Sequence, residues 1–223
     1  MLNIAILASG NGTNAAAVIN KINEGILTAR VSIIICNRPG AGVIARARDY
    51  GVSCETLDHK EYPDRESYDL ALLDALERAG CELVVLAGYM RLLTRRFLET
   101  RQGTVMNIHP SLLPSFPGIH GIRDAFGYGV KLTGPSVHFV GEETDRGPLI
   151  IQAAVPCDPG EGLDALESKI HAAEHRIYPQ AIQWFAEGRL KLDGRVVRLE
   201  DAGKRKIPNS GDMFVYPPLE EGF

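Results

Sequence analysis

The amino-acid sequence predicts an α/β fold: a doubly wound, mostly parallel sheet with an antiparallel C-terminal extension. Three observations carry this expectation. Apolar runs at 2–8, 31–36 and 82–87 alternate with helical stretches, the pattern of right-handed crossovers between parallel strands. The strand-like runs Ser136–Val140 and Leu149–Val155 are joined by Gly141–Pro148, a connection too short for a helical crossover and suited to an antiparallel hairpin. Asp193-Gly194, between Leu190–Leu192 and Val196–Leu199, is a second hairpin signal.

The first strand, Leu2–Ala8, is almost continuously apolar, as expected of a strand buried on both faces. It runs into Ser9-Gly10-Asn11-Gly12-Thr13-Asn14 and a helix over Ala15–Ile22. A second strand, Val31–Cys36, precedes a helix at about 42–50, then a short strand at Val52–Glu55. Glu66–Ala79 reads as a helix with Leu70, Leu73 and Leu76 on one side. Glu82–Ala87 is the next strand, and a short basic helix over 94–101 comes after it. Residues 161–187 form a long helix with Leu163, Leu166, Ile170, Ile177, Ala181 and Phe185 on its apolar stripe and a kink expected at Pro179. Residues 200–223 read as a polar tail lying loosely over the surface. The expected organisation is one domain over 1–223, with an α/β half to about 110, a second half over 111–192, and a hairpin strand and tail over 193–223.

Composition narrows the function. A chain of 223 residues, 45% hydrophobic and 23% charged, can bury a sizeable core. A net charge of −4 argues against a nucleic-acid surface. No apolar run approaches the ~18 residues that a membrane span needs. Cys36, Cys54, Cys81 and Cys157 show no paired spacing for zinc or a redox couple and read as reduced, buried thiols. With no basic n-region before the first strand, a cytoplasmic protein is expected.

The chemistry concentrates in residues 104–118. A short strand carries Asn107 and His109 two positions apart, so both side chains face one side. Pro110 ends the ladder, and Pro114 and Pro117 stiffen the turn beyond it. In a doubly wound sheet, ligands bind beyond the carboxyl ends of the strands. The Gly-rich loop, Tyr89–Leu93 and the Asn107/His109 pair are all expected at that edge. Gly10, Gly12 and Ala15 fit a loose dinucleotide fingerprint, but Cys36-Asn37-Arg38 lacks the acidic residue that would hold a ribose. A phosphate site at the helix N-terminus and an ordinary tight turn are the other readings. Asp145, in a Gly-flanked turn, serves turn chemistry or the site. His138 alternates with apolar neighbours and reads as a packed histidine, and His120, just after the Pro-rich loop, is a further site candidate. Glu174 falls on the apolar stripe of the long helix, where it either reaches water at the stripe's edge or holds a cationic or amine group.

Asn107-x-His109-Pro110-Ser111-Leu112-Leu113-Pro114, Ser136-Val137-His138-Phe139-Val140 and Asp145-x-Gly147-Pro148 together resemble the folate-dependent formyltransferases. Ser9-Gly10-Asn11-Gly12 and Glu174-His175 extend the resemblance from Met1 to about residue 192. The His-Pro-Ser-Leu-Leu-Pro form and Gly10-Asn11-Gly12-Thr13-Asn14 point to the branch that acts on glycinamide ribonucleotide. The resemblance implies a Rossmann-like formyltransferase fold and formyl transfer from 10-formyltetrahydrofolate to the glycinamide amine in purine synthesis, without a metal. It implies that Asn107 and a protonated His109 donate hydrogen bonds to the developing oxyanion. Asp145 would hold His109 charged and help move the amine proton. It further implies that Gly12, Thr13 and Asn14 hold the substrate phosphate and that Glu174 contacts the glycinamide end. Folate would lie against Met90, Arg91, Leu92 and Leu93 and the loop with Val140, Glu142 and Thr144, with Arg65 near its glutamate.

Ser115 stands where relatives commonly carry Lys, Gly121-Ile122 replaces a more polar pair, and His171 lies where relatives vary. The rival readings are a methionyl-tRNA formyltransferase, which would carry a basic RNA-binding domain, and a formyltetrahydrofolate hydrolase, which would carry a regulatory domain ahead of the first strand. An NADP-binding oxidoreductase and a non-catalytic binding module are more distant alternatives. Small-molecule partners are expected, and a homodimer is left open.

Overall fold

The computed structural model describes residues 1–200 and 213–223, and they divide into two compact units, Met1–Asn107 and Ile108–Phe223. The first unit alternates strands with helices: β1 (Leu2–Ala8), α1 (Thr13–Asn23), β2 (Ala29–Cys36), α2 (Gly42–Asp49), β3 (Cys54–Thr56), α3 (Arg65–Arg78), β4 (Leu83–Leu86), α4 (Arg95–Thr100) and β5 (Val105–His109), whose last two residues begin the second unit. Within it β1 pairs in parallel with β2 and β4, β2 with β3, and β4 with β5, giving the order β5-β4-β1-β2-β3. The apolar run of β1 is explained by this central place: Ile4, Ala5, Ile6, Leu7 and Ala8 are wholly buried. The chain order reverses on either side of β1, so the C-terminal ends of β1 and β4 form the switch point where open α/β sheets bind ligands.

On α3 the buried residues are Tyr68, Asp69, Leu72, Ala75 and Leu76, whereas Leu70 is exposed and Leu73 half-buried. The expected Leu70–Leu73–Leu76 stripe is therefore displaced. Tyr68 brings the largest apolar surface and turns the helix to bury it.

The second unit continues with α5 (Gly121–Tyr128), β6 (Leu132–Thr133), β7 (Ser136–Phe139), β8 (Leu149–Pro156), α6 (Leu163–Ala186), β9 (Leu190–Asp193), β10 (Val196–Leu199) and β11 (Phe214–Tyr216). β8 pairs antiparallel with β6, β7 and β11, and β9–β10 is the expected hairpin, with Gly194 and Arg195 between paired Asp193 and Val196. α5 was not anticipated; it is only two turns long and closes at Gly129 in the left-handed region. α6 buries Leu166, Ile170, Ile177 and Ala181, and helical residues continue through Pro179.

The tail expectation is corrected for 213–223, while 201–212 lies outside the described residues. β11 joins the sheet along β8, burying Val215 between exposed Phe214 and Tyr216, and Leu219 and Phe223 are also buried. Glu220, 2% exposed in its side chain, lies 2.7 Å from the buried Arg189 guanidinium, which also meets Glu187 at 2.9 Å. The Glu220 N–H donates to Gln180 at 2.7 Å, and Arg176 donates to the Phe223 carbonyl at 3.2 Å. Truncating one member of a buried ion pair strands the other charge, typically at a cost of about 3–5 kcal/mol. Glu220→Ala is therefore expected to lower the unfolding free energy by about 3 kcal/mol, read from the denaturant midpoint. An unchanged midpoint would mean that the tail does not hold the fold.

Candidate active site

In the first unit the Gly-rich loop leaves β1 and turns at Gly12, whose φ is +75° and whose conformation suits glycine. A Cβ at Gly12 would stand 2.6 Å from Val43, so the residue also permits close packing of the loop on α2. Gly12 caps α1 without a side-chain hydrogen bond, and Thr13 is exposed at the first turn. That leaves the positive end of the α1 dipole and its amides to a ligand or solvent.

The loop is fastened by a hydroxyl that the sequence did not single out. Ser9 Oγ, nearly buried, donates to Asn37 Oδ1 at 2.6 Å and accepts the Met90 N–H at 2.8 Å. Ser9 thus ties the end of β1 to the end of β2 and to the segment after β4. His59 Nδ1 lies 3.1 Å from the Asn37 carbonyl and completes the cluster. Asn37, which the sequence marks only by the lack of an acidic residue, is an anchor instead.

The same hydroxyl holds the 90–93 segment in place. Met90 and Leu92 are exposed, and Leu93 is half-buried. Arg65 donates to the Leu92 carbonyl at 2.8 Å, so the structure brings Arg65 to this segment. The Arg91 guanidinium lies 4.8 Å from the Tyr68 ring centroid, a cation–π contact. Tyr68 and Tyr89 share a 2.7 Å hydroxyl hydrogen bond, and burial raises the pKa of both phenols, keeping them neutral.

In the second unit, His109 closes β5 and is 4% exposed. Its Nδ1 lies 3.4 Å from Asp145 Oδ2, and its Nε2 lies 2.9 Å from the Phe116 carbonyl. Asp145 Oδ2 also accepts the Gly118 N–H at 2.8 Å. Asp145 Oδ1 stands 3.9 Å from His138 Nε2. Burial lowers the His138 pKa, and its Nδ1 donates to the Phe139 carbonyl at 2.9 Å, so this histidine is neutral and packed. Asp145 is consequently more than a turn residue: its carboxylate reaches the imidazole. Phe116 and Asp145, with φ of +50° and +53°, are the two non-glycine residues with positive φ among the described residues. Such a conformation costs about 1–2 kcal/mol and concentrates at functional sites. Gly147 allows the Asp145 loop to approach, since a Cβ there would collide with the Phe139 carbonyl.

The Pro-rich loop has two differently held halves. Ser136 Oγ donates to the Ser111 carbonyl at 2.7 Å and accepts from Leu113 at 3.0 Å, and Gln152 donates to the Leu113 carbonyl at 3.0 Å. Neither residue was a sequence candidate; a pair of buried Ser136 and half-buried Gln152 on neighbouring strands is visible only once β7 and β8 pair. From Ser115 to Gly118 the Ser115 N–H bonds back to the Leu112 carbonyl at 3.0 Å, and the remaining hydrogen bonds run to Ser111, His109 and Asp145. His120 is exposed at the start of α5, and Val140, Glu142 and Thr144 line the flank of the Asp145 loop, the last two exposed.

Glu174 does not reach water at the stripe's edge: it is 3% exposed and its carboxylate lies 2.9 Å from His171 Nδ1. Among the described residues no cluster of His, Cys, Asp and Glu could hold a metal ion, and no helix is long and apolar enough to cross a membrane.

Against known proteins, the sequence model described as formyl transferase matches residues 2–182. The chain belongs to the formyl transferase family. It is 40% identical over 207 residues to the phosphoribosylglycinamide formyltransferase of Escherichia coli, covering 93% of this chain and 97% of that protein. It is 38% identical over 201 residues to the trifunctional purine biosynthetic protein adenosine-3 of Gallus gallus, covering 90% of this chain and 19% of that longer protein. Among solved structures, glycinamide ribonucleotide transformylase 1 from Symbiobacterium toebii is 46% identical, with a TM-score of 0.88 over 90% of this chain and 95% of that one. The α/β fold with its mostly parallel sheet and small antiparallel C-terminal hairpin agrees with that likeness.

The His171–Glu174 contact sets a pH dependence. The hydrogen bond to Glu174 raises the His171 pKa, outweighing its partial burial. A raised histidine pKa contributes stability that is fully present below the unfolded value of about 6.5 and is lost as pH rises through the folded value. His171→Gln is expected to destabilise the protein at pH 5.5 and to leave it nearly unchanged at pH 9. Denaturation midpoints at the two values check this, and equal losses at both would contradict it.

Proposed function

We propose that the protein is a phosphoribosylglycinamide formyltransferase, transferring the formyl group of 10-formyltetrahydrofolate to the amine of glycinamide ribonucleotide in purine synthesis. The observation that carries this reading is the Asp145 carboxylate 3.4 Å from the imidazole of His109, two residues after Asn107 on β5, in a chain of this family. Its relatives' names support the substrate, and the cytoplasm is the compartment in which both small molecules would be met.

The amine lone pair attacks the formyl carbon, and the carbonyl π pair moves onto oxygen. Asn107 and His109 donate hydrogen bonds to that oxyanion, the step where preorganised donors contribute most. Asp145 faces Nδ1 of His109 and stabilises the imidazolium. The bond from the formyl carbon to folate N10 then breaks as the amine proton is passed to N10, so tetrahydrofolate leaves and no metal is required. Gly12, Thr13 and Asn14 serve the ribonucleotide phosphate, which suits amides at the open end of α1. Glu174 serves the glycinamide amine by accepting a hydrogen bond from its N–H, which orients the neutral nitrogen and leaves its lone pair free to attack. Met90, Arg91, Leu92, Leu93, Val140, Glu142 and Thr144 serve the folate, and Arg65 its glutamate carboxylate.

A two-substrate assay with glycinamide ribonucleotide, set against a tRNA acceptor, tests the activity. Formylglycinamide ribonucleotide is the expected product, and transfer to tRNA alone would replace the reading. Asn107→Ala and Asp145→Asn are each expected to lower kcat about 100-fold or more in proteins that still fold; wild-type rates would remove the mechanism. Thr13→Val and Asn14→Ala should raise KM for the ribonucleotide more than for the folate, whereas equal effects would count against the phosphate assignment.

A further inference from the structure

The Phe116 carbonyl oxygen receives hydrogen bonds from two buried donors: His109 Nε2 at 2.9 Å and Ser111 Oγ at 3.2 Å. Ser111 is wholly buried, and its single hydroxyl proton is shared, with the shorter bond of 2.6 Å going to the neighbouring Ser115 carbonyl and the longer one to Phe116. These acceptors belong to the half of the Pro-rich loop that neither Ser136 nor Gln152 fastens. Gly121 keeps the same point open, since a Cβ there would stand 3.1 Å from both His109 Nε2 and the Phe116 oxygen.

We propose that the Phe116 carbonyl is a placeholder for the substrate oxyanion, and that Ser111 is a further hydrogen-bond donor to it. The inference rests on the formyl-transfer reading and deepens it. While 115–118 is seated, its carbonyl uses the donor of His109 that the oxyanion needs, and the Gly118 N–H occupies Asp145. Withdrawal of this segment leaves His109 Nε2–H and Ser111 Oγ–H without acceptors in a buried place, a costly state. The developing oxygen satisfies both at one point. No proton is transferred from Ser111: the amine lone pair forms the new C–N bond, the carbonyl pair rests on oxygen under Asn107, His109 and Ser111, and that pair returns as the bond to N10 breaks. The positive φ of Phe116 favours release, because its backbone cost is borne only while the segment is seated.

The test is steady-state kinetics of wild type, Ser111→Ala and Ser111→Cys with glycinamide ribonucleotide and 10-formyltetrahydrofolate. Ser111→Ala is expected to lower kcat about 100-fold, in line with loss of an oxyanion donor, with both KM values within about threefold. Ser111→Cys, which keeps a weak donor of similar shape, should retain intermediate turnover and decides the matter if the alanine variant does not fold. A hydroxyl that merely tethers 115–118 makes the opposite prediction, since loosening the placeholder would leave kcat unchanged or raise it. Either result in an active wild-type background overturns the role of Ser111 alone. A wild type that forms no formylglycinamide ribonucleotide overturns the formyl-transfer reading and this inference with it.

Discussion

A buried imidazole needs a partner at each ring nitrogen, and around His109 that requirement shapes the local chain. One nitrogen faces the Asp145 carboxylate and the other faces the Phe116 carbonyl. Both partners come from residues held at positive φ, a conformation that a phenylalanine adopts only under compulsion. The compulsion is supplied by burial: an unpartnered nitrogen in this place would cost more than the strained turn that satisfies it. Strain, burial and the acid–base pair are therefore one arrangement, seen from three sides.

Each unit uses a short, buried hydroxyl at a strand end to hold a loop in register. Ser9 donates to Asn37 and accepts from Met90, and Ser136 donates to the Ser111 carbonyl and accepts from Leu113 and Gln152. A serine suits the task because one oxygen both gives and takes a hydrogen bond with little side-chain entropy to lose. Loops fixed this way present backbone amides and side chains with small reorganisation, the condition under which electrostatic stabilisation of a reacting centre is effective. The contrast with 116–118, whose hydrogen bonds run to His109, Ser111 and Asp145, separates what is scaffold from what is poised to exchange partners.

Buried carboxylates in the second unit differ in the kind of cation that faces them. Glu220 meets a buried arginine and serves the fold. Glu174 meets His171, a side chain half exposed to solvent and titratable near neutrality. The two glutamates are equally buried, and they differ in the partner each meets: a permanent cation for Glu220 and a titratable imidazole for Glu174.

The sequence by itself determined the elements whose signals are local. The apolar run of β1, the alternation of strands and helices through β5, the short link between β7 and β8, and the Gly-containing turn between β9 and β10 are all set by neighbours in the chain. So are Asn107 and His109 two apart on a strand, and the motifs that mark the family. Tertiary structure alone decided what depends on partners far away in sequence. It turned α3 onto Tyr68 instead of Leu70 and Leu73, and it drew 214–216 into the sheet against β8. It joined Ser9 to Asn37, and it brought Asp145 and the Phe116 carbonyl to the two nitrogens of His109. The physical reason is that periodicity reports which face of an element is apolar, whereas a buried hydrogen bond is chosen by whichever complementary group folding brings within about 3 Å.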